Sequence, residues 1–79
     1  MDKLDLTQLP AGKEAMITEI IGGQHMLSKV NALGIRIGVK LKKLSSQAWR
    51  GPITIQIGNS QIAIGFGMAQ KIFVQSNQP

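Results

Sequence analysis

Ile53-Thr54-Ile55-Gln56-Ile57-Gly58-Asn59-Ser60-Gln61-Ile62-Ala63-Ile64 is the stretch on which the fold turns. Ile53, Ile55 and Ile57 alternate with Thr54 and Gln56, and Ile62 and Ile64 alternate with Gln61 and Ala63, the period of a half-buried β-strand. Gly58-Asn59-Ser60 between the two arms is suited to a tight reversal, so the stretch predicts a β-hairpin.

Downstream, Gly65 ends the second arm and Gly67-Met68-Ala69-Gln70 reads as a single turn. Lys71-Ile72-Phe73-Val74-Gln75 follows as a last strand, and residues 76–79 are expected to fray. Upstream, Gly51-Pro52 restarts the chain after a polar loop over 45–51 that carries Trp49 and Arg50 near its end. Before the loop, Val39-Lys40-Leu41-Lys42 alternates, with Val39 and Leu41 inside and the lysines in water. Lys43-Leu44 inverts that phase, which predicts a bulge. Lys40, Lys42 and Lys43 are read as a solvated basic face that also discourages edge-to-edge aggregation.

Further upstream the period changes. Met26, Val30 and Leu33 stand at i, i+4 and i+7, with Leu27 beside them, so residues 24–33 predict one short helix whose apolar side goes mostly to the core. Gly34 stands where a left-handed capping residue belongs, and Ile35 is expected to fold back onto the helix. Gly22-Gly23 separates this helix from a first strand over 13–21, rich in β-branched residues. Strict alternation there groups Ala15, Ile17, Glu19 and Ile21, so a bulge that turns Ile20 inward is expected. Leu6, Leu9 and Pro10-Ala11-Gly12 form a short entry segment that reads as a lid on the core.

The reading is therefore mainly β: about five short strands and one short α-helix in a small, highly bent barrel, with 1–79 as a single domain. With 79 residues and no cysteine, neither a second domain nor a disulfide framework nor a thiolate zinc site is available. Met1-Asp2-Lys3-Leu4-Asp5 carries acids where a signal peptide needs a basic and then an apolar stretch, and no run reaches the length of a membrane span. A cytoplasmic protein without membrane insertion is expected.

The inventory argues against an enzyme: one histidine, and acids at Asp2, Asp5, Glu14 and Glu19 with no paired placement. Gly22-Gly23 and Gly65-Phe66-Gly67 lack the lysine and spacing of a phosphate-binding loop. His25 is the one good nitrogen ligand, and a transition-metal site needs three or four ligands. No cofactor is expected within one chain; a divalent metal would need His25 together with Asp2, Asp5 or Glu19 across chains. The net charge of +5 suits an acidic partner, but Trp49, Phe66 and Phe73 are too few aromatics for a typical single-stranded nucleic-acid surface. Nucleic-acid binding through the basic strand face is the alternative class.

The order Leu6-x-x-Leu9-x-x-Gly12, Ala15-x-Ile17-x-x-Ile20, Leu33-Gly34-Ile35, Gly38, Gly51-Pro52, Ile62-Ala63-Ile64-Gly65, Ala69 and Ile72-x-Val74 resembles the ferrous iron transport protein A (FeoA) family across nearly the whole chain. The resemblance implies an SH3-like barrel and an accessory role beside the membrane GTPase of ferrous iron uptake, as a protein that binds another protein. It departs from the family in its helix, where Ser28-Lys29-Val30-Asn31-Ala32 keeps one basic residue in place of the usual arginines before the Leu-Gly turn. The barrel also resembles the C-terminal domain of iron-dependent repressors of the diphtheria toxin repressor type, which add DNA-binding and dimerisation domains that this length does not hold. The residues put forward for partner binding are Met26, Leu27, Ile35 and Arg36 at the helix edge and Trp49 and Arg50 in the loop, and self-association is left open.

Overall fold

The computed structural model describes residues 3–46 and 50–76. Trp49 and Asp2 lie outside the described residues. Six antiparallel strands form one sheet: β1 (Lys3–Asp5), β2 (Glu14–Ile20), β3 (Lys40–Ser46), β4 (Ile53–Ile57), β5 (Ser60–Ile64) and β6 (Ile72–Ser76), in the order β1-β6-β2-β3-β4-β5. Helix α1 (Gln24–Ala32) joins β2 to β3, and a four-residue helix, α2 (Phe66–Ala69), joins β5 to β6.

The predicted hairpin is the β4–β5 pair, with Ile57 opposite Ser60 across Gly58-Asn59. Gly58 has φ +58° while Asn59 keeps an ordinary negative φ, the pattern of a type II′ turn whose twist matches that of the strands. Alternation then sends Ile53, Ile55 and Ile64 into a core shared with Ala15 and Ile17 of β2, Leu41 of β3 and Ile72 and Val74 of β6. Leu6 and Leu9, predicted as a lid, are buried in the same cluster, and the Leu6 N–H donates to the Ile72 carbonyl at 3.0 Å. One core lined by β2 to β6, with Leu4 of β1 packed against it, is the small SH3-like barrel that the sequence predicts.

Both bulges are present. The β2–β6 register shifts between Ile17 and Glu19, which brings Ile20 against the core, and the β3–β4 register shifts between Lys43 and Ser45. The structure adds strand β1, paired with β6 from Lys3 opposite Gln75 to Asp5 opposite Phe73, in a segment too short to show a period.

Lys43 corrects an expectation. It is not part of a solvated face but buried, at 2% exposure, because alternation continues through it from Leu41 before the bulge intervenes. Its Nζ donates to the carbonyls of Leu6 at 2.9 Å and Thr7 at 3.3 Å, so the ammonium anchors the entry segment. Burial pushes the Lys43 pKa below the ordinary lysine value, and the Asp5 carboxylate offsets part of that shift. Asp5 itself accepts from the Thr7 backbone at 2.7 Å and from the Thr7 hydroxyl.

Candidate functional site

Helix α1 starts at Gly23 without a side-chain cap, carries no acid in its first turn, and ends with Lys29 in its last. Its C-terminus is the better-built end. The Gly34 N–H donates to Asn31 at 3.0 Å and the Ile35 N–H to Val30 at 2.9 Å, the paired bonds of a Schellman motif, with Gly34 at φ +90°. Val30 and Ile35 both lie at 0% exposure, so the motif's apolar contact is part of the core.

That burial corrects the reading of Ile35 as docking surface: it pins the segment from beneath. Directly after it the chain makes a turn in which the Val39 N–H donates to the Arg36 carbonyl at 3.1 Å. The Gly38 N–H donates to Ile17 at 2.8 Å and the Ile17 N–H to Val39 at 2.9 Å, so the turn is tied to β2 at both residues. Arg36 and Ile37 are thereby displayed on fixed backbone, with Ile37 at 65% exposure.

The helix itself corrects a second expectation, for the core takes less of it than predicted. Only Val30 is buried; Met26 is half-buried, and Leu27 and Leu33 are exposed at 36% and 44%. At about 100° per residue, Leu27 and Leu33 fall about 60° to either side of Val30, with Met26 on the Leu33 side. A stripe one residue wide seats the helix, and the leucines flank the seat. Ile21, at the end of β2, is also exposed, its N–H bonded to the Lys71 carbonyl at 2.8 Å.

The sequence reading puts Leu33 in the helix's apolar stripe and Ile21 in the first strand and passes over Ile37, so none of the three is put forward as surface, although a signal is there. Leu33-Gly34-Ile35-Arg36-Ile37-Gly38 packs three branched apolar residues between and around two glycines, in a segment with neither helical nor strand period. Of the three, only Ile35 is buried. The charge is equally one-sided: every acid lies at position 19 or earlier, so Lys29 and Arg36 have no acidic neighbour anywhere in residues 20–79.

The remaining predicted residues are spread out. Arg50 is exposed, with φ +61°, and its guanidinium lies 5.9 Å from the centre of the Phe66 ring, so its recorded contact is with α2 and not with α1. His25 is exposed on α1, whereas Glu19 pairs with Lys3, whose ammonium also lies 5.2 Å from the Phe73 ring centre. Among the described residues, no group of three or more His, Cys, Asp or Glu is placed to hold a metal ion. With Lys43 inside, the basic strand face is reduced to Lys40 and Lys42, which line a shallow cleft with Glu14, Gln56 and Gly58. Among the described residues, no helix is long and apolar enough to cross a membrane.

The fold and this surface define a class: a small SH3-like barrel with a short helix laid across it, offering an apolar and basic surface. A family model described as the FeoA domain matches residues 4–76, and the chain belongs to that family. It is 39% identical over 64 residues to a Methanocaldococcus jannaschii protein provisionally named Fe(2+) transport protein A, covering 81% of this chain and 76% of that one. Among solved structures it is similar to an iron uptake regulatory protein (FeoA), with TM-score 0.86 and 28% identity over 96% of this chain and 99% of that chain. A manganese-dependent transcriptional repressor shares the fold at TM-score 0.86 and 24% identity, with 94% of this chain matching 41% of the repressor.

Proposed function

We propose that this protein is a non-enzymatic, cytoplasmic, single-domain accessory of ferrous iron uptake, and that it docks on the cytosolic GTPase portion of the transporter through the α1 surface. The iron-transport part of this reading rests on membership of the FeoA family and on what its relatives are named for. The docking part rests on one observation: Leu33 and Ile37 are large, apolar and exposed on backbone that the Schellman motif and β2 hold in place. Rigid display lowers the ordering cost of association, and exposed apolar residues rimmed by charge are the usual composition of an interface.

Met26, Leu27, Leu33, Arg36 and Ile37 make up the surface, with Ile35 as its buried support. Lys29 and Arg36 select an acidic partner patch. Calorimetric titration of the chain with the purified cytosolic GTPase portion tests this. We expect binding that weakens as salt is raised, and that falls at least about tenfold, near 1.4 kcal/mol, in a folded Leu33→Ser/Ile37→Ser double variant. Full affinity in that variant would remove α1 from the interface.

A further inference from the structure

The two ends of the sheet are treated differently. At one end stands β1, three residues long, with charges at Lys3 and Asp5, the guards that keep a strand edge from pairing with another chain. At the other end stands β5, Ser60-Gln61-Ile62-Ala63-Ile64, with no charge, proline or bulge in it.

The hydrogen-bonding sense of β5 follows from its register. Ile57 and Ser60 flank a two-residue turn and so form a hydrogen-bonded pair, and alternation makes Ile55 with Ile62 and Ile53 with Ile64 the next two. Gln61 and Ala63 therefore point their N–H and C=O groups away from β4. Neither has another backbone partner among the described residues, and both side chains are exposed, so no other part of the described chain covers this edge.

Charge says what can approach. Residues 51–70, which hold the whole β4–β5 hairpin and α2, contain no charged side chain, in a chain of net charge +5. It is the one long stretch along which two copies can meet without opposing lysines. On β5 itself an acidic partner finds no charge to pair with; the cations beside this stretch include Arg50, over the Phe66 ring, and Lys40 and Lys42, in the cleft with Gln56 and Gly58.

We propose that β5 is a self-association edge, at which two copies pair antiparallel about a two-fold axis through Ile62. In this register Gln61 of each copy exchanges both backbone hydrogen bonds with Ala63 of the other, four bonds in all, using the four groups on each strand that β4 leaves free. A two-fold contact of this kind is self-complementary by construction. Ile62, which points to the core side and is half-buried, faces its own copy as the directly opposite pair, so the contact also covers apolar surface. The small area makes the dimer weak, with a dissociation constant on the order of 0.1–1 mM.

Sedimentation equilibrium and amide exchange on the full chain test the proposal together. We expect a monomer–dimer equilibrium that tightens when salt is raised, because the two positive bodies are then screened from each other, the opposite of the salt effect at α1. Exchange at the Gln61 and Ala63 amides should slow as concentration rises. Ala63→Lys, at an exposed side chain, should weaken the dimer at least about tenfold, and Ala63→Pro, which removes an outward N–H that β4 does not use, should do the same. A chain that stays monomeric at about 1 mM overturns the proposal. So does a dimer that neither variant weakens, or exchange at both amides that is fast at every concentration.

Discussion

The β4–β5 hairpin and the chain around helix α1, from Ile21 to Ile37, are both rich in large apolar residues but spend them differently. In the hairpin Ile53, Ile55 and Ile64 are buried and Ile57 and Ile62 are half-buried. Around the helix Val30 and Ile35 are buried, while Ile21, Leu27, Leu33 and Ile37 stand in solvent. The difference teaches where the fold's stability resides. A strand inside a bent sheet puts every second side chain into the core, whereas a short helix lying across the barrel touches it along one narrow stripe. The apolar residues that flank that stripe, Leu27 and Leu33, stay exposed, which is why we propose that recognition lies there.

The contrast breaks first at its strongest point. Ile55→Ala, at 0% exposure in the middle of β4, removes packing from several strands at once, and we expect a loss of about 3 kcal/mol in urea-unfolding stability. A loss below about 1 kcal/mol would mean that the hairpin is not the core that burial makes it. Gly34→Ala comes next. At φ +90° a side chain is strained, and the expected cost is about 1–2 kcal/mol. Because the motif also sets the turn after it, the same variant should alter amide shifts at Arg36 and Ile37.

The third test falls on Lys43, where a charged residue takes a hairpin-like inward place. Its folded-state pKa is lowered by burial, so between that value and the unfolded value the unfolded chain binds more protons than the folded one. Stability from this group must therefore rise with pH in that window. Below it, both states keep the proton and the folded state bears the full desolvation cost. In urea midpoints of wild type and Lys43→Met, measured from neutral pH up towards the ordinary lysine pKa, the wild type should gain relative to the variant as pH rises. Parallel curves would mean that the amine is hydrated in the folded protein.

What the sequence made legible divides along the same line. The hairpin, both bulges, the helix and its glycine stop were readable because each is local: period two, period 3.6, or a residue needing left-handed backbone. Strand β1 was not, since Lys3-Leu4-Asp5 gains its strand form from pairing with β6, some seventy positions away. Lys43 was misread because side-chain type suggested water where the ladder's alternation continued inward. Of the residues put forward for partner binding, Leu27 and Arg36 are exposed, but Ile35 lies on the buried side of its backbone. How deep a helix sits depends on the barrel beneath it, and apolar spacing along one chain does not carry that depth.

Ile37→Ser is the smallest expected effect on the fold and sharpens the comparison most. At 65% exposure, on a turn whose backbone bonds to Ile17 are independent of its side chain, Ile37 has little to lose on truncation. The change in stability should stay within about 0.5 kcal/mol, against several for a buried isoleucine. If the unfolding midpoint holds while affinity for the GTPase portion drops, the same residue type serves stability in the hairpin and recognition beside the helix. If instead Ile37→Ser lowers stability as much as Ile55→Ala does, the turn belongs to the core, and the division between the two regions disappears. The native side chain is the same at both positions, so its size, branching and hydrophobicity do not separate them, whereas burial, with exposure of 0% at Ile55 and 65% at Ile37, does.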